Sequence, residues 1–317
     1  MSHSGFTNMG TANVMTDPRI RLMAQRVEHH RAKGFQSPEE LLRFCEGFWD
    51  IKIPRQRVCL DHSCLAEYIT AAWFEDSMDC VCWANRGGGK TMAGALVTWL
   101  ESVFKAACET KVLGGSGEQS LRMYNHVKKF NSEPFRHLAR GEALKTYTEL
   151  VNGSSIQILT ASTRSVRGPH PQKLRLDEVD EFDDKIYEAA LLIPLSSGGI
   201  AASTHIYSTM HKSYGLMNRV IEEAAESGFR IFKWCILDVL ERCVDRECEG
   251  CGLWEDCGGK ARNASGFYPI KDAIEHKRKV SKDTWNSEML CHQPSREGLI
   301  YKEFDISIHV VDFKFKD

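Results

Sequence analysis

The sequence predicts an α/β protein with a mainly parallel sheet flanked by helices. Three features carry that expectation. Apolar, strand-like runs alternate with helix-forming runs over residues 81–236, which implies a sheet covered on both faces. One run, Val81-Cys82-Trp83-Ala84, passes through the glycine-rich turn Asn85-Arg86-Gly87-Gly88-Gly89 into a helix-forming segment that opens on Lys90-Thr91. Another, from Lys173 to Leu176, ends in the two carboxylates of Asp177 and Glu178.

The glycine-rich turn is the feature around which the chain is organised. Glycines let backbone N–H groups crowd around a phosphate, and a helix N-terminus adds positive potential. Ala84, Asn85, Arg86, Gly87, Gly88, Gly89, Lys90 and Thr91 are therefore the candidate nucleotide-binding set. Lys90 would reach the β- and γ-phosphates, and Thr91 would offer its hydroxyl to Mg²⁺. The stretch is a variant of G-x-x-x-x-G-K-[ST], because Ala84 replaces the first glycine. The bland alternative is a strand–helix turn with no ligand; the strand before and the helix over 92–107 favour the phosphate loop.

A strand ending in acids is the expected partner of such a loop. Asp177 would hold the Mg²⁺ shell, and Glu178 would polarise the attacking water as general base. Arg175 interrupts the apolar strand, and Asp180, Glu181, Asp183 and Asp184 make an acidic surface loop the competing reading. Position decides between them, since the pair falls at a strand end and before a helix over 184–192. A further strand over 205–211 ends in Ser208-Thr209. In motors that track nucleic acid, a Ser/Thr strand end beside the γ-phosphate links hydrolysis to movement; elsewhere it is an ordinary strand end.

The remaining elements follow in order. Residues 1–16 are polar and read as disordered. Asp17-Pro18 opens a charged helix to Lys33, and Ser37-Pro38-Glu39-Glu40 is a capping box starting a helix through Phe48. An extended link over 53–55 precedes Cys59, His62 and Cys64. This tight group lacks a second ligand pair, so buried thiols and a packed histidine are favoured over a metal; a third reading lays the segment over the nucleotide base. A helix over 65–74, a strand over 111–116 and a helix over 118–130 come next. Strands over 145–150 and 155–161 are joined by Asn152-Gly153, a hairpin signal. A basic loop over 162–169, a helix over 214–227 and a strand over 229–236 complete the alternation.

The alternation then breaks at a Gly-rich, charged insertion over 240–266. Cys243, Cys248, Cys251 and Cys257 give four thiols at short spacing, the donor set of a structural Zn²⁺ site; free thiols or a disulfide pair are the alternatives. The insertion reads as non-helical and too small for a core of its own, so a metal would fold it. Helices over 270–280 and 282–291 and an extended connector over 293–305 finish the chain.

Composition bounds the rest. The chain has 317 residues, 42% hydrophobic and 26% charged, which is the usual globular mix. Lys+Arg total 41 against 43 for Asp+Glu, so the protein is not coated in basic charge, although a local nucleic-acid track is not excluded. No apolar run approaches the roughly 20 residues that span a membrane, and the first residues lack a signal-peptide pattern. Twelve cysteines in a chain that reads as non-secreted point to buried thiols or metal ligands rather than disulfides. The expected organisation is an N-terminal disordered and helical segment over 1–50, a P-loop ATPase domain over 51–305, and the start of a linker over 306–317.

With these residues in place, the chain resembles the large terminase subunit of tailed bacteriophages, the motor that packages viral DNA. The resemblance rests on Ala84 to Thr91, Val166-Arg167-Gly168, Leu176-Asp177-Glu178, Ser208-Thr209, and the run Trp285, Gln293-Pro294, Gly298, Tyr301 and Phe304. It implies an additional-strand, catalytic-glutamate P-loop NTPase that uses ATP and Mg²⁺. It also implies double-stranded DNA, a portal protein and a small terminase subunit as partners, a homo-oligomeric ring when active, no membrane, and action in the host cell cytoplasm at the procapsid portal. Arg86 matches a loop arginine that touches the phosphates. Arg167 matches an arginine finger acting across a subunit boundary, with Arg164 as fallback. The chain stops where the family's nuclease domain begins, so the expectation is the ATPase portion without nuclease activity. The Cys insertion is outside the family's minimal pattern. A nucleic-acid helicase and a zinc-bearing assembly module with a residual nucleotide site are the competing functions.

Overall fold

The architecture follows from strands that are buried on both faces. Cys80–Ala84, Lys173–Asp177 and Ser203–Ser208 are buried at every position, as parallel strands between two helical layers must be. A computed structural model of the protein describes residues 17–141, 146–159 and 170–294. Among these lies a seven-stranded sheet of β1 (Cys80–Ala84), β2 (Glu109–Gly114), β3 (Tyr147–Glu149), β4 (Ser155–Leu159), β5 (Lys173–Asp177), β6 (Ser203–Ser208) and β7 (Arg230–Trp234). Its spatial order is β3-β4-β2-β5-β6-β1-β7. Every neighbouring pair is parallel except β3 and β4. That antiparallel hairpin is the one Asn152-Gly153 predicts, and Gly153 takes the left-handed φ of 83° that its turn needs.

β6 lies between β1, which feeds the phosphate loop, and β5, which ends in the acids. This is the additional strand implied by the resemblance. Register levels the strand ends: Gly114 pairs Asp177, Asp177 pairs Tyr207, and Trp83 pairs Ser208. The loops at this carboxyl edge therefore meet in one crevice, where ligands bind in open α/β sheets.

Alternate strand residues feed two cores. On one face Cys80, Cys82, Val112 and Tyr207 pack with Leu41, Tyr68, Leu96, Trp99 and Phe135. That layer holds α1 (Pro18–Lys33), α2 (Pro38–Trp49), α3 (Leu65–Trp73), α4 (Lys90–Phe104) and α5 (Gly117–Phe130). On the other face Val81, Trp83, Leu113 and Ile206 pack with Tyr187, Met217, Val220 and Trp285, from α6 (Asp184–Leu191), α7 (Leu216–Glu223) and the segment after β7. α4 is buried almost all round, as expected for a helix sandwiched between sheet and outer helices. A Cβ on its Gly94 would come within 2.6 Å of the Tyr207 ring, so glycine sets how closely this helix lies on the sheet.

Several expected elements change. The capping box forms at one arm, with Ser37 accepting from Glu40 N at 3.2 Å, but Glu40 reaches back to Gln36 N instead. The strand expected over 229–236 stops at Trp234 because the chain turns into a helical turn, Ile236–Val239. The helix expected over 282–291 is only Lys282–Thr284, running into a π-helical turn, Trp285–Met289. The wider turn buries Trp285, Ser287 and Met289 together, and the Trp285 indole donates to Asp256 at 2.9 Å.

The Cys-rich insertion is also corrected. It contains the helical turns Trp254–Cys257 and Lys260–Asn263, and its Leu253, Cys257 and Ala261 join the second core. It is docked on the domain rather than standing apart. Arg175, read as an interruption, is fully buried against Glu101 of α4, with its Nε 3.3 Å from Thr98 Oγ1. Residues 1–16, the loop over 160–169 and the connector from 295 onward lie outside the described residues.

Candidate functional site

The phosphate loop is held from behind by β7. Asn85 N donates to Trp234 O at 3.3 Å, and the Trp234 indole donates to Gly88 O at 2.7 Å. Inside the loop Gly88 N donates to Asn85 O at 3.0 Å, and a Cβ on Gly88 would overlap the Asn85 side chain. Gly87 and Gly89 take φ of 74° and 82°, conformations that L side chains rarely adopt. Gly89 is the N-cap of α4, so Lys90 and Thr91 enter at the helix N-terminus. The Asn85 carboxamide oxygen is buried without a hydrogen-bond partner, an acceptor left open at the loop.

The acids arrive from β5. Thr91 Oγ1 lies 3.1 and 3.2 Å from the two Asp177 carboxylate oxygens. Burial, together with the neighbouring Glu178, pushes the Asp177 carboxyl up to about 7, against the pull of Lys90, Thr91 and Arg122. A hydroxyl beside a buried carboxylate is a donor set that fits a hard divalent cation. Glu178 leaves the strand with φ of 58° and ψ of 53°, a strained state for a residue with a side chain. Its N–H donates to Tyr207 O at 2.6 Å. This turn aims the carboxylate at the loop, where Oε1 lies 3.1 Å from Lys90 Nζ and Oε2 lies 3.5 Å from Thr209 Oγ1. The structure thus brings together Lys90, Thr91, Asp177, Glu178 and Thr209.

Ser208 sits one position behind, its hydroxyl donating to Thr209 O at 2.8 Å and accepting from Asp180 N at 3.4 Å. Asp180, which counted toward the competing reading of an acidic surface loop, is 2% exposed. Its carboxylate accepts from His211, Lys212 and Met217 N–H groups at 3.1, 3.0 and 3.1 Å, fixing the loop after β6. The only sequence hint was its place after Glu178.

Arg86 points away from the acids. Its Nε is 2.6 Å from Glu288 Oε2, and its N–H donates to Glu288 O at 2.9 Å. Glu288 was missed because the π-helical turn that presents it leaves no mark in periodicity. Between them opens a cavity of about 240 Å³ bounded by Arg86, Gly87, Tyr268, His276, Thr284 and Glu288. Tyr268 and Phe267 lie over Gly87 and Gly89, within 3.0 and 3.1 Å of where a Cβ would stand. Arg167 and Arg164 lie outside the described residues.

The cysteines divide into two places. Cys243, Cys248, Cys251 and Cys257 line one small cavity of about 20 Å³, but among the described residues their sulfurs are not drawn into a group as tight as the one that follows. Cys64 is the buried N-cap residue of α3. Cys59 and His62 meet Cys235 and Asp238 instead, from the turn after β7; the four donor atoms lie within 4.8 Å of one another. The Cys235 contact and His62 hold the Cys59 thiol down at about 5. Burial pulls the His62 pKa down, but Asp238 and Cys59 more than offset it, leaving about 9.

The strand order and the loop after β1 give the fold of a P-loop NTPase of the additional-strand type. No protein-family model and no curated protein matches the sequence. Among solved structures, the fold is similar to the large terminase of a thermophilic bacteriophage, with TM-score 0.54, 14% identity, and 78% of this chain and 57% of that chain covered. The same terminase in complex with ATP-gamma-S gives 0.53, 12%, 78% and 56%. The bacteriophage HK97 large terminase gives 0.52, 17%, 72% and 50%. The chain therefore spans little more than half the length of these terminases, and at these identities the likeness is one of fold. No helix among the described residues is long and apolar enough to cross a membrane.

Proposed function

We propose that this chain is the ATP-hydrolysing motor of a viral DNA-packaging terminase, coupling hydrolysis to movement of double-stranded DNA into a procapsid. The observation that carries the reading is the convergence of Lys90 and Thr91 with Asp177, Glu178 and Thr209 from adjacent strand ends, on a fold similar to that of phage large terminases. The phosphates lie on Gly87 to Thr91, and the nucleoside takes the cavity beside Arg86 and Tyr268. Thr91 and Asp177 would hold Mg²⁺, which supplies positive charge at the phosphate oxygens.

Lys90 is engaged by Glu178. A γ-phosphate competes for the lysine and releases the carboxylate. Glu178 then accepts a proton from water as its oxygen attacks the γ-phosphorus, and the bond to the β–γ bridging oxygen breaks with that oxygen leaving on ADP. Arg86 swings from Glu288 to the phosphates, and Arg167 reaches the site of a neighbouring protomer in a homo-oligomeric ring. Ser208 and Thr209 couple the state of Glu178 to the loop held by Asp180. Portal protein and small terminase subunit are the protein partners, and the motor works in the host cytoplasm at the procapsid portal. The four thiols of the insertion hold a structural Zn²⁺.

Steady-state hydrolysis with and without double-stranded DNA tests this. Lys90→Ala should lose both ATP binding and turnover. Glu178→Gln should keep binding and lose about 10²–10⁴-fold in turnover, the usual worth of a general base. Wild-type turnover in Glu178→Gln removes the general-base assignment, and turnover and DNA binding that are both insensitive to the other ligand argue against a DNA motor.

A further inference from the structure

The sequence places Cys59 and His62 three residues apart with no second pair nearby. The fold supplies that pair from 176 residues later, at Cys235 and Asp238. We propose that Cys59, His62, Cys235 and Asp238 form a zinc site, separate from the four-thiol insertion, that ties the segment ahead of α3 to the end of β7.

Three observations support the assignment. Cys59 Sγ and Cys235 Sγ are 3.8 Å apart, and metal–sulfur bonds of about 2.3 Å give a tetrahedral edge of about 3.8 Å. The other two donors close the group: His62 Nδ1 and Asp238 Oδ2 are hydrogen-bonded at 2.6 Å, and they would part to the edge of about 3.3 Å that metal bonds of about 2.0–2.1 Å require when an ion takes the proton's place. All four atoms fall within 4.8 Å of one another, and two thiols, an imidazole and a carboxylate are zinc's own ligand types.

Second, the carboxylate is fixed in advance. Asp238 Oδ1 accepts from Val58 N and Cys59 N at 3.0 Å each, and Oδ2 accepts from Cys235 N at 2.9 Å. The backbone of both thiol ligands is thereby locked to the acid, as supporting shells of metal sites are.

Third, the group is reachable. A cavity of about 430 Å³ opens onto Cys59, His62 and Cys235, with Asp256 and His292 also on its wall. Binding would release any proton on His62 Nδ1 and on the two thiols.

The place gives the site its consequence. Cys235 follows Trp234, whose carbonyl and indole hold the phosphate loop at Asn85 and Gly88. A metal there fixes the back of the loop, which neither Glu178 nor Mg²⁺ chemistry requires, so the inference stands apart from the nucleotide assignment.

The test is zinc content by emission spectroscopy on the full chain after gel filtration, with circular dichroism to verify folding. A variant with Cys243, Cys248, Cys251 and Cys257 all changed to serine should retain one zinc per chain. Replacing its zinc with Co²⁺ should give a thiolate charge-transfer band that Cys59→Ser weakens and that Cys59→Ser with Cys235→Ser abolishes. A folded four-serine variant with less than about a tenth of an equivalent overturns the proposal. Should that variant not fold, Cys235→Ser in the otherwise unchanged chain must lose one equivalent, and undiminished zinc overturns it. A Cys59–Cys235 disulfide found by mass spectrometry in zinc-supplied protein also overturns it.

Discussion

Glu101 is a carboxylate on the inner face of α4, 0% exposed, and the most heavily paired acid among the described residues of this domain's first core. Arg175 lies against it, and Lys173 and Lys105 stand 3.3 and 3.2 Å away. Burial raises its pKa, but these cations outweigh burial and hold it at about 2 against an ordinary 4.5. A depressed carboxyl contributes stability above its unfolded pKa and loses it as pH falls through the folded value. Glu101→Gln leaves the buried Arg175 without its carboxylate, while Lys105 and Lys173 keep Glu75 at 2.7 and 3.4 Å; breaking such a buried pair costs about 3–5 kcal/mol at neutral pH. In urea denaturation the gap between variant and parent should hold from pH 7 to about 5 and close as pH drops from about 4.5 toward 2. A gap independent of pH would mean the loss is packing, not charge. The sequence flags Arg175 only as a misfit in an apolar strand, because its partner is a helical residue whose register to the strand appears only in the fold. That Lys90 and Thr91 at a helix start would meet Asp177 and Glu178 at a strand end is, by contrast, legible, since a glycine-rich turn into a helix and an apolar run ending in acids are both local patterns.

In the proposed motor, short elements would carry the step from chemistry to motion. Asp180 accepts from two successive N–H groups, His211 and Lys212, of the loop that follows β6, and from Met217 N in the first turn of α7, and that loop begins at Thr209, whose hydroxyl faces Glu178. A Cβ at Gly215 would overlap the Asp180 carboxylate, so this loop has one seating. Asp180→Ala frees the loop without touching a phosphate. Turnover should fall by about ten- to a hundredfold, the scale of small misplacements at a reacting centre, while KM for ATP stays near the parent value. Limited proteolysis should show new cleavage over 209–215. An unchanged turnover would cut the link from the loop to Glu178. Turns with a local chemical rule, such as the Asn152-Gly153 hairpin and the Ser37 cap, are readable in the sequence. The π-helical turn over Trp285–Met289 is not, because it is set by burying Trp285 against Asp256 rather than by a local preference.

At the scale of the whole molecule, alternation predicts a parallel sheet, but not the order of its strands. That β6 falls between β1 and β5 depends on long-range packing, and the resemblance supplied it where periodicity could not. The same order decides how the site is completed. Lys90 is held by Glu178 and Arg86 by Glu288, so both cations of the loop have partners within the chain, and charge developing on the γ-phosphoryl calls for a further one. The assigned donor, Arg167, would come from a neighbour in a ring, as arginine fingers in trans do. Arg167→Ala and Glu178→Gln protomers should each be inactive alone. Mixed in equal amounts under assembling conditions, they should recover about a quarter of parent ATPase activity, because an interface works only when an intact Glu178 faces an intact Arg167. The recovery should be absent at dilutions where the protein is monomeric. Failure to recover in assembled rings would place the finger in cis or on another residue, with Arg164→Ala the next variant to mix.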